Sequence, residues 1–349
     1  DAFPSLRAGL FKRLRDGYSE LAVDQVDIQS MITRSAEYQA FAKGTSDTVA
    51  GWWADSRKLL TDIQSSTRPK ELIHDLSESL LEAFRPRPLI DEYGVYEQLM
   101  SYWNAFMHDD VALIVGEGWD EAAKPRLART WKDKNNKSKY EDAHLVFGTG
   151  ANAKRWVMDL IPPQYVIARF FPKEQAQVDE LIAKHEVATQ AIEEYTEEHA
   201  VEEGLLWDAV EDDKISAATV NTRLKAAKAE KAEAEEIAAL NHALKLYVAE
   251  SAAKKAVKET TIKLQQQALA QYGKLSTDDI RTLVVDDKWG GTIGGRIGAE
   301  VTAFGRALIT RLSVLADRYE TTVGELDAAV EALSAKVASH LAAMGVAGE

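Results

Sequence analysis

Between residues 173 and 199 apolar positions return every three or four residues, at Val178, Leu181, His185, Ala188, Ile192, Tyr195 and His199, with glutamates filling the intervals. That spacing is the heptad-type seam of an amphipathic helix whose greasy stripe seeks another helix. The Ala/Glu/Lys-rich stretch from about 217 to 271 supplies one, with Leu240, Leu244, Tyr247, Val257, Leu264 and Ala268 on its apolar side. A break over 202–215, holding Gly204 and Trp207, turns the chain between them. The pattern therefore predicts a long antiparallel coiled-coil hairpin over 173–273. Two further stripes follow. Ile293, Ile297, Val301, Phe304, Leu308, Leu312, Leu315 and Tyr319 share one face, and Leu326, Val330, Leu333, Val337, Leu341 and Met344 share another. Ser276 with Asp279, and Thr322 with Glu325, have the spacing of reciprocal N-terminal caps.

Upstream the periodicity is shorter and mixed. Leu72, Ile73, Leu76, Leu80 and Leu81 mark a helix that Thr67 caps, Pro69 opens and the Arg85-Pro86-Arg87-Pro88 string ends. Tyr93, Tyr96, Leu99, Met100, Trp103, Phe106 and Met107 recur at helical spacing and predict one buried aromatic stripe. Short β-rich runs at 112–115, 144–147, 155–160 and 165–168 predict a small sheet, with the Lys/Asn/Asp-rich stretch from Lys132 to Lys139 as a mobile loop. Before residue 67, Val23, Val26 and Ile28 lead into a helical run through Met31, Ile32, Tyr38 and Phe41. The expected fold is mainly α with a small α+β portion, a helical bundle plus the hairpin. It divides into an α/β lead-in (1–66), a helical and aromatic block with a small sheet (67–172), the hairpin (173–273) and a C-terminal helical unit (274–349). Glycines at 290, 291, 294, 295, 298 and 305 each cost a helix about 1 kcal/mol relative to alanine. They are expected either to allow close backbone approach or to shorten the helix.

Composition narrows the function classes. The 349 residues contain no cysteine, which removes disulfides, thiolate metal sites and cysteine nucleophiles. No basic-then-apolar leader and no long apolar run occurs, and the chain opens on Asp1. The reading is a soluble, cytoplasmic fragment of a larger protein with no membrane partner. A formal net charge of -14 repels phosphate backbones unless cations gather on one face. They gather in three groups: Arg7, Lys12, Arg13 and Arg15; Lys124, Arg126 and Arg129; and Lys132, Lys134, Lys137 and Lys139. For the last group a solvated loop is the expected state.

Candidate chemistry is sparse. Phe147-Gly148-Thr149-Gly150 offers a strand followed by G-x-G, a weak nucleotide or S-adenosylmethionine signal with no helix and ribose-binding acid where they are needed. Seven histidines lack metal-ligand spacing, and the nearest thing to a ligand cluster, His108-Asp109-Asp110, reads as a loop cap. No catalytic, cofactor-binding or metal-binding residue is assigned. The residues expected to meet partners are Val178, Leu181, Ile192 and Tyr195 on the first seam and Leu326, Val330, Leu333 and Val337 on the last.

Three strings in order, RPKELIHDLSE from Arg68 on to Phe84, PLIDEYGVYEQLMSYW from Pro88 on to Met107 and LSTDDIRTLVVDDKW from Leu275 to Trp289, together resemble one family. It is the region downstream of the methyltransferase domain in long-form type I restriction-modification methyltransferase (modification) subunits. The resemblance implies a parent DNA adenine-N6 methyltransferase that uses S-adenosylmethionine. Its implied partners are a specificity subunit and a motor-nuclease subunit, with DNA reached through the assembled complex. The family's glycine-rich cofactor motif and N-P-P-F tetrad lie upstream of such a segment. Asp159-Leu160-Ile161-Pro162-Pro163-Gln164-Tyr165 is similar to the tetrad but has Ile161 for its Asn/Asp and Gln164 for its aromatic, and reads as a rigid turn between strands. The segment is therefore expected to be inactive itself and to dock helices against the specificity subunit. The alternatives are a stand-alone S-adenosylmethionine-binding enzyme and a purely structural coiled-coil protein.

Overall fold

A computed structural model describes residues 2–16, 18–87, 89–212, 214–319, 321 and 323–344. Helix α1 (Pro4–Leu10) leads into the hairpin β1 (Phe11–Arg15) and β2 (Tyr18–Leu21), followed by α2 (Ile28–Arg34), α3 (Ala36–Thr61) and α4 (Pro69–Phe84). Then come α5 (Glu92–Tyr102), a π-helical turn (Trp103–Met107), α6 (His108–Glu117) and α7 (Trp119–Ala122). Five short strands follow: β3 (Arg126–Leu127), β4 (Thr130–Lys132), β5 (Ser138–Tyr140), β6 (Leu145–Phe147) and β7 (Lys154–Val157). The rest is helical: α8 (Pro163–Phe170), α9 (Pro172–His199), α10 (Ala217–Glu230), α11 (Ala234–Tyr272), α12 (Thr277–Arg281), a π-helical stretch (Thr282–Gly290), α13 (Gly291–Arg318) and α14 (Val323–Ala343). The protein is mostly helical with a few small antiparallel sheets. Among the described residues no helix is long and apolar enough to cross a membrane.

The chain packs into two units, one of residues 1–109 with 289–349, the other of 110–288. In the first, α13 lies along α2, α3 and α5. Its Leu308, Ile309, Leu312 and Ala316 close a core of Leu6, Leu10, Ile28 and Ile32. The free amides at the start of α1 are satisfied by Glu37, whose carboxylate accepts from Ser5 N at 2.9 Å and Leu6 N at 2.8 Å. Those bonds hold Glu37 below the usual carboxylate range. The glycines of α13 divide sharply. A Cβ on Gly305 would overlap Tyr38, whose Cζ stands 2.9 Å away, whereas Gly295 and Gly298 face open space. Close approach is thus real at Gly305 and not at those two.

In the second unit α9 and α11 run antiparallel, because His185 Nε2 meets Glu250 Oε1 at 3.0 Å while Tyr195, ten residues on, donates to Ala239 O at 3.3 Å. The far end is a small core of Leu206, Ala209, Val220, Leu224, Ala227, Ala239, Leu240 and Ala243. The expected continuous helix from 217 to 271 is broken: Lys231 adopts left-handed φ of 59° and ends α10, which folds back on α11. Arg223 fastens this fold by reaching Asp208, Glu230 and Glu236.

Several local expectations are corrected. Residues 112–115 are helical within α6 and residues 165–168 within α8. A short aliphatic run does not tell strand from helix. Here Val111 and Ile114 are buried three apart, and Pro163 at the first turn sets α8. Residues 159–165 accordingly join a strand to a helix rather than two strands. Residues 155–160 are strand only as far as Val157. Thr67 does not cap α4; its Oγ1 accepts from Gln64 N, and Arg68 occupies the cap position. The aromatic stripe is re-registered by the π turn, which adds a residue to the turn and buries Val95, Leu99, Tyr102, Trp103 and Met107 while leaving Tyr93 and Phe106 exposed. His108, Asp109 and Asp110 sit in helix α6, not in a loop. Ser276 and Asp279 form the reciprocal cap as expected. Thr322, the other predicted cap, lies outside the described residues.

Candidate functional site

Helix α14 has the most open apolar face. Val323, Leu326, Val330, Leu333, Val337, Leu341 and Met344 are between 42 and 77% exposed, and none of the helix's residues is buried. Isolated exposed leucines are ordinary, but seven large apolar side chains along one helical face are not. Val323, Val330 and Val337 take one heptad position and Leu326 and Leu333 the other. β-branched residues at the first and leucine at the second favour packing as a two-stranded pair.

The two halves of the predicted partner-binding set are thus placed differently. Leu326, Val330, Leu333 and Val337 stand exposed on α14. Val178 is buried, and Leu181, Ile192 and Tyr195 are half-buried on α9, the helix that runs along α11. Tyr195 is further enclosed by the rings of His199 and His242, with centroids 4.4 and 4.7 Å away. Burial lifts its phenol above the ordinary range.

A second feature was not legible as structure. The Lys132-to-Lys139 stretch, expected as a mobile loop, is an antiparallel hairpin pairing Thr130 with Tyr140, Trp131 with Lys139 and Lys132 with Ser138. Its turn is closed by Asp133, whose Oδ1 accepts from Asn135 N and Lys137 N, both at 2.8 Å, with Asn136 in the left-handed region at φ 57°. At the base, Arg126 makes paired bonds to Glu141 (2.7 and 2.7 Å) and to Asp159 (2.6 and 2.9 Å), and Glu141 also accepts from Arg129 N. Arg126 therefore ties the end of β5 to the segment after β7. The guanidinium holds the Glu141 carboxyl down to about 2, and the two acids raise Arg126 further.

The segment after β7 is gripped by its carbonyls. Tyr272 Oη donates to Ile161 O at 2.5 Å, and burial pushes its phenol well up. Lys288 donates to Leu160 O at 2.7 Å and pairs with both oxygens of buried Asp110, at 2.8 and 2.7 Å. Arg169 and Asp287 make a further two-bond pair at 2.6 and 2.7 Å. These acids and bases are thus engaged with one another and with the segment's carbonyls. The Gly148-Thr149-Gly150 string joins β6 to its antiparallel neighbour β7, with φ of 90° at Gly148 and 64° at Gly150. It lies in a six-residue connection, with a 3-10 turn at Gly150–Asn152, between paired antiparallel strands, not the strand-to-helix crossing that cradles a pyrophosphate. Among the described residues no group of three or more histidine or acidic side chains is placed to hold a metal ion. Comparison with protein-family models, curated proteins and solved structures gives no match to this chain.

Proposed function

We propose that this chain is an assembly segment, docking α14 against a helix of another polypeptide, and that its partner is the specificity subunit of a type I DNA-modification complex. The seven-residue apolar face of α14, none of it buried, carries the reading. Covering roughly half of each side chain contributes on the order of 5–10 kcal/mol in gross terms, before the cost of association. That suffices for a specific contact when the partner brings a matching seam. The alternation of valine and leucine selects one partner helix rather than several. The resemblance of the three strings to modification subunits supplies the partner's identity. It also implies a parent enzyme that transfers a methyl group from S-adenosylmethionine to adenine through residues outside this segment, and a motor-nuclease subunit further out in the complex.

The test is size-exclusion chromatography of the chain mixed with the specificity subunit. Co-elution is expected, and its loss when Leu326, Val330 and Leu333 are all changed to serine. Because those side chains are exposed, the triple variant keeps its helical circular dichroism. Separate migration of the two wild-type proteins, or a complex indifferent to the triple substitution, refutes the reading.

A further inference from the structure

We propose that the β4–β5 hairpin is a docking element for the phosphate backbone of duplex DNA, independent of sequence. Between Arg126 and Lys139 the chain places six basic residues against one acid, in a protein of net charge -14. That acid, Asp133, is spent on its own turn. Arg126 is likewise consumed by Glu141 and Asp159. Arg129, Lys132, Lys134, Lys137 and Lys139 are all exposed, and among the described residues none of the four lysines is held in an ion pair with a carboxylate. A solvated loop would need no such bracing; this one is stapled at its base by a four-bond guanidinium and at its tip by an Asx turn. Beside the lysines Trp131 is 52% exposed, paired across the strands with Lys139. Cations clustered on one exposed element are the electrostatic footprint of nucleic-acid binding, and an indole beside them supplies an N–H donor for a phosphate oxygen.

The shape selects the partner. Among the described residues β4 and β5 pair only with each other, a two-stranded ribbon anchored at its base. B-form DNA admits such a ribbon in its major groove, whereas the deep, narrow groove of A-form RNA does not. Acids more than about 8–10 Å from the hairpin are largely screened at ordinary salt, so the net charge of the chain does not by itself cancel the patch. Lysine, a point charge on a flexible stem, contacts phosphate without reading bases.

The experiment is fluorescence anisotropy of a labelled 30-base-pair duplex of arbitrary sequence, titrated with the full chain between about 50 and 200 mM salt. Four phosphate contacts predict a slope of about -3.6 in log affinity against log salt. The Lys132→Gln, Lys134→Gln, Lys137→Gln, Lys139→Gln variant should lose at least tenfold in affinity at 50 mM salt and most of that slope. A control with the same loss of charge, Lys245→Gln, Lys254→Gln, Lys255→Gln, Lys258→Gln on exposed positions of α11, should leave both unchanged. Equal losses in the two variants, no binding by the wild type, or equal affinity for an RNA duplex overturns the proposal. So does capture by phosphatidylserine vesicles without binding to DNA. Should the quadruple variant misfold, Lys134→Gln with Lys137→Gln alone, both at the turn, should reduce the slope by about 1.8. The α14 serine variant should bind DNA as the wild type does, which separates this proposal from the docking role of that helix.

Discussion

Replacing Gly305 by alanine isolates a conflict between helix propensity and packing. In a helix interior the change ordinarily stabilises by about 1 kcal/mol, because alanine loses less backbone entropy. At Gly298 and Gly295 nothing lies within 4 Å of the added carbon, so Gly298→Ala should stabilise by about 0.5–1 kcal/mol. At Gly305 the new methyl meets the Tyr38 hydroxyl and sits 2.9 Å from Cζ. Tyr38 is held on three sides, tilted against Phe41, edge-on to Phe3, and donating to Val301 O at 3.3 Å. Moving it costs about 1–3 kcal/mol of overpacking. A further 0.5–1.5 kcal/mol is lost if the hydrogen bond breaks. Against the propensity gain, Gly305→Ala should destabilise by about 1–3 kcal/mol. Tyr38→Phe removes the nearest atom but leaves the ring carbon, so the double variant should recover part of the loss, with a coupling of about 1 kcal/mol. Hydrogen exchange of the α3 and α13 amides, read by mass spectrometry beside urea unfolding, reports these changes within the unit concerned. If Gly305→Ala stabilises as much as Gly298→Ala, the argument for a forced approach fails.

Two other perturbations have definite signs. Lys288→Met removes the ammonium that bonds both oxygens of buried Asp110 and should cost about 3–5 kcal/mol, while Lys288→Met with Asp110→Leu should recover part of it; an equally damaged double variant in thermal unfolding would contradict the pairing. Glu141 has its carboxyl depressed from the ordinary 4.5 to about 2, so its contribution is complete above about pH 4.5 and lost as pH falls toward 2. Carbon-detected titration of Glu141 should show the low midpoint in the wild type and return toward 4.5 in Arg126→Gln; an ordinary midpoint in the wild type would remove the Arg126 brace.

What was readable in the sequence was what local periodicity encodes. The seams of α9, α13 and α14, the end of α4 before Pro86 and the reciprocal cap at Ser276 each depend on residues within a few turns of one another. The failures share another cause. A π turn adds one residue to a turn without any glycine or proline to announce it, so the burial of Tyr102 in place of Phe106 has no local signature. Lys231 adopts a left-handed conformation in a stretch composed of good helix formers, where tertiary packing of α10 on α11 overrides propensity. The hairpin between Lys132 and Lys139 depends on an Asx turn and on Arg126 finding Asp159, 33 positions away. Lys288 meets Asp110 at a separation of 178. For α14 the pattern was plain from the start; that its face would stay open while the α9 seam was covered by α11 required the fold.

The core of Leu6, Leu10, Ile28 and Ile32 is closed by side chains from Leu308 to Ala316. At about 5–20 residues per second a ribosome needs roughly 15–60 s to deliver that lid after its first contacts have emerged. Residues 110–288, the second compact unit, are synthesised in that interval. The early apolar helices therefore lack their cover while the whole of the second unit is still being made, and that interval is when chaperones and proteases have their best access to them.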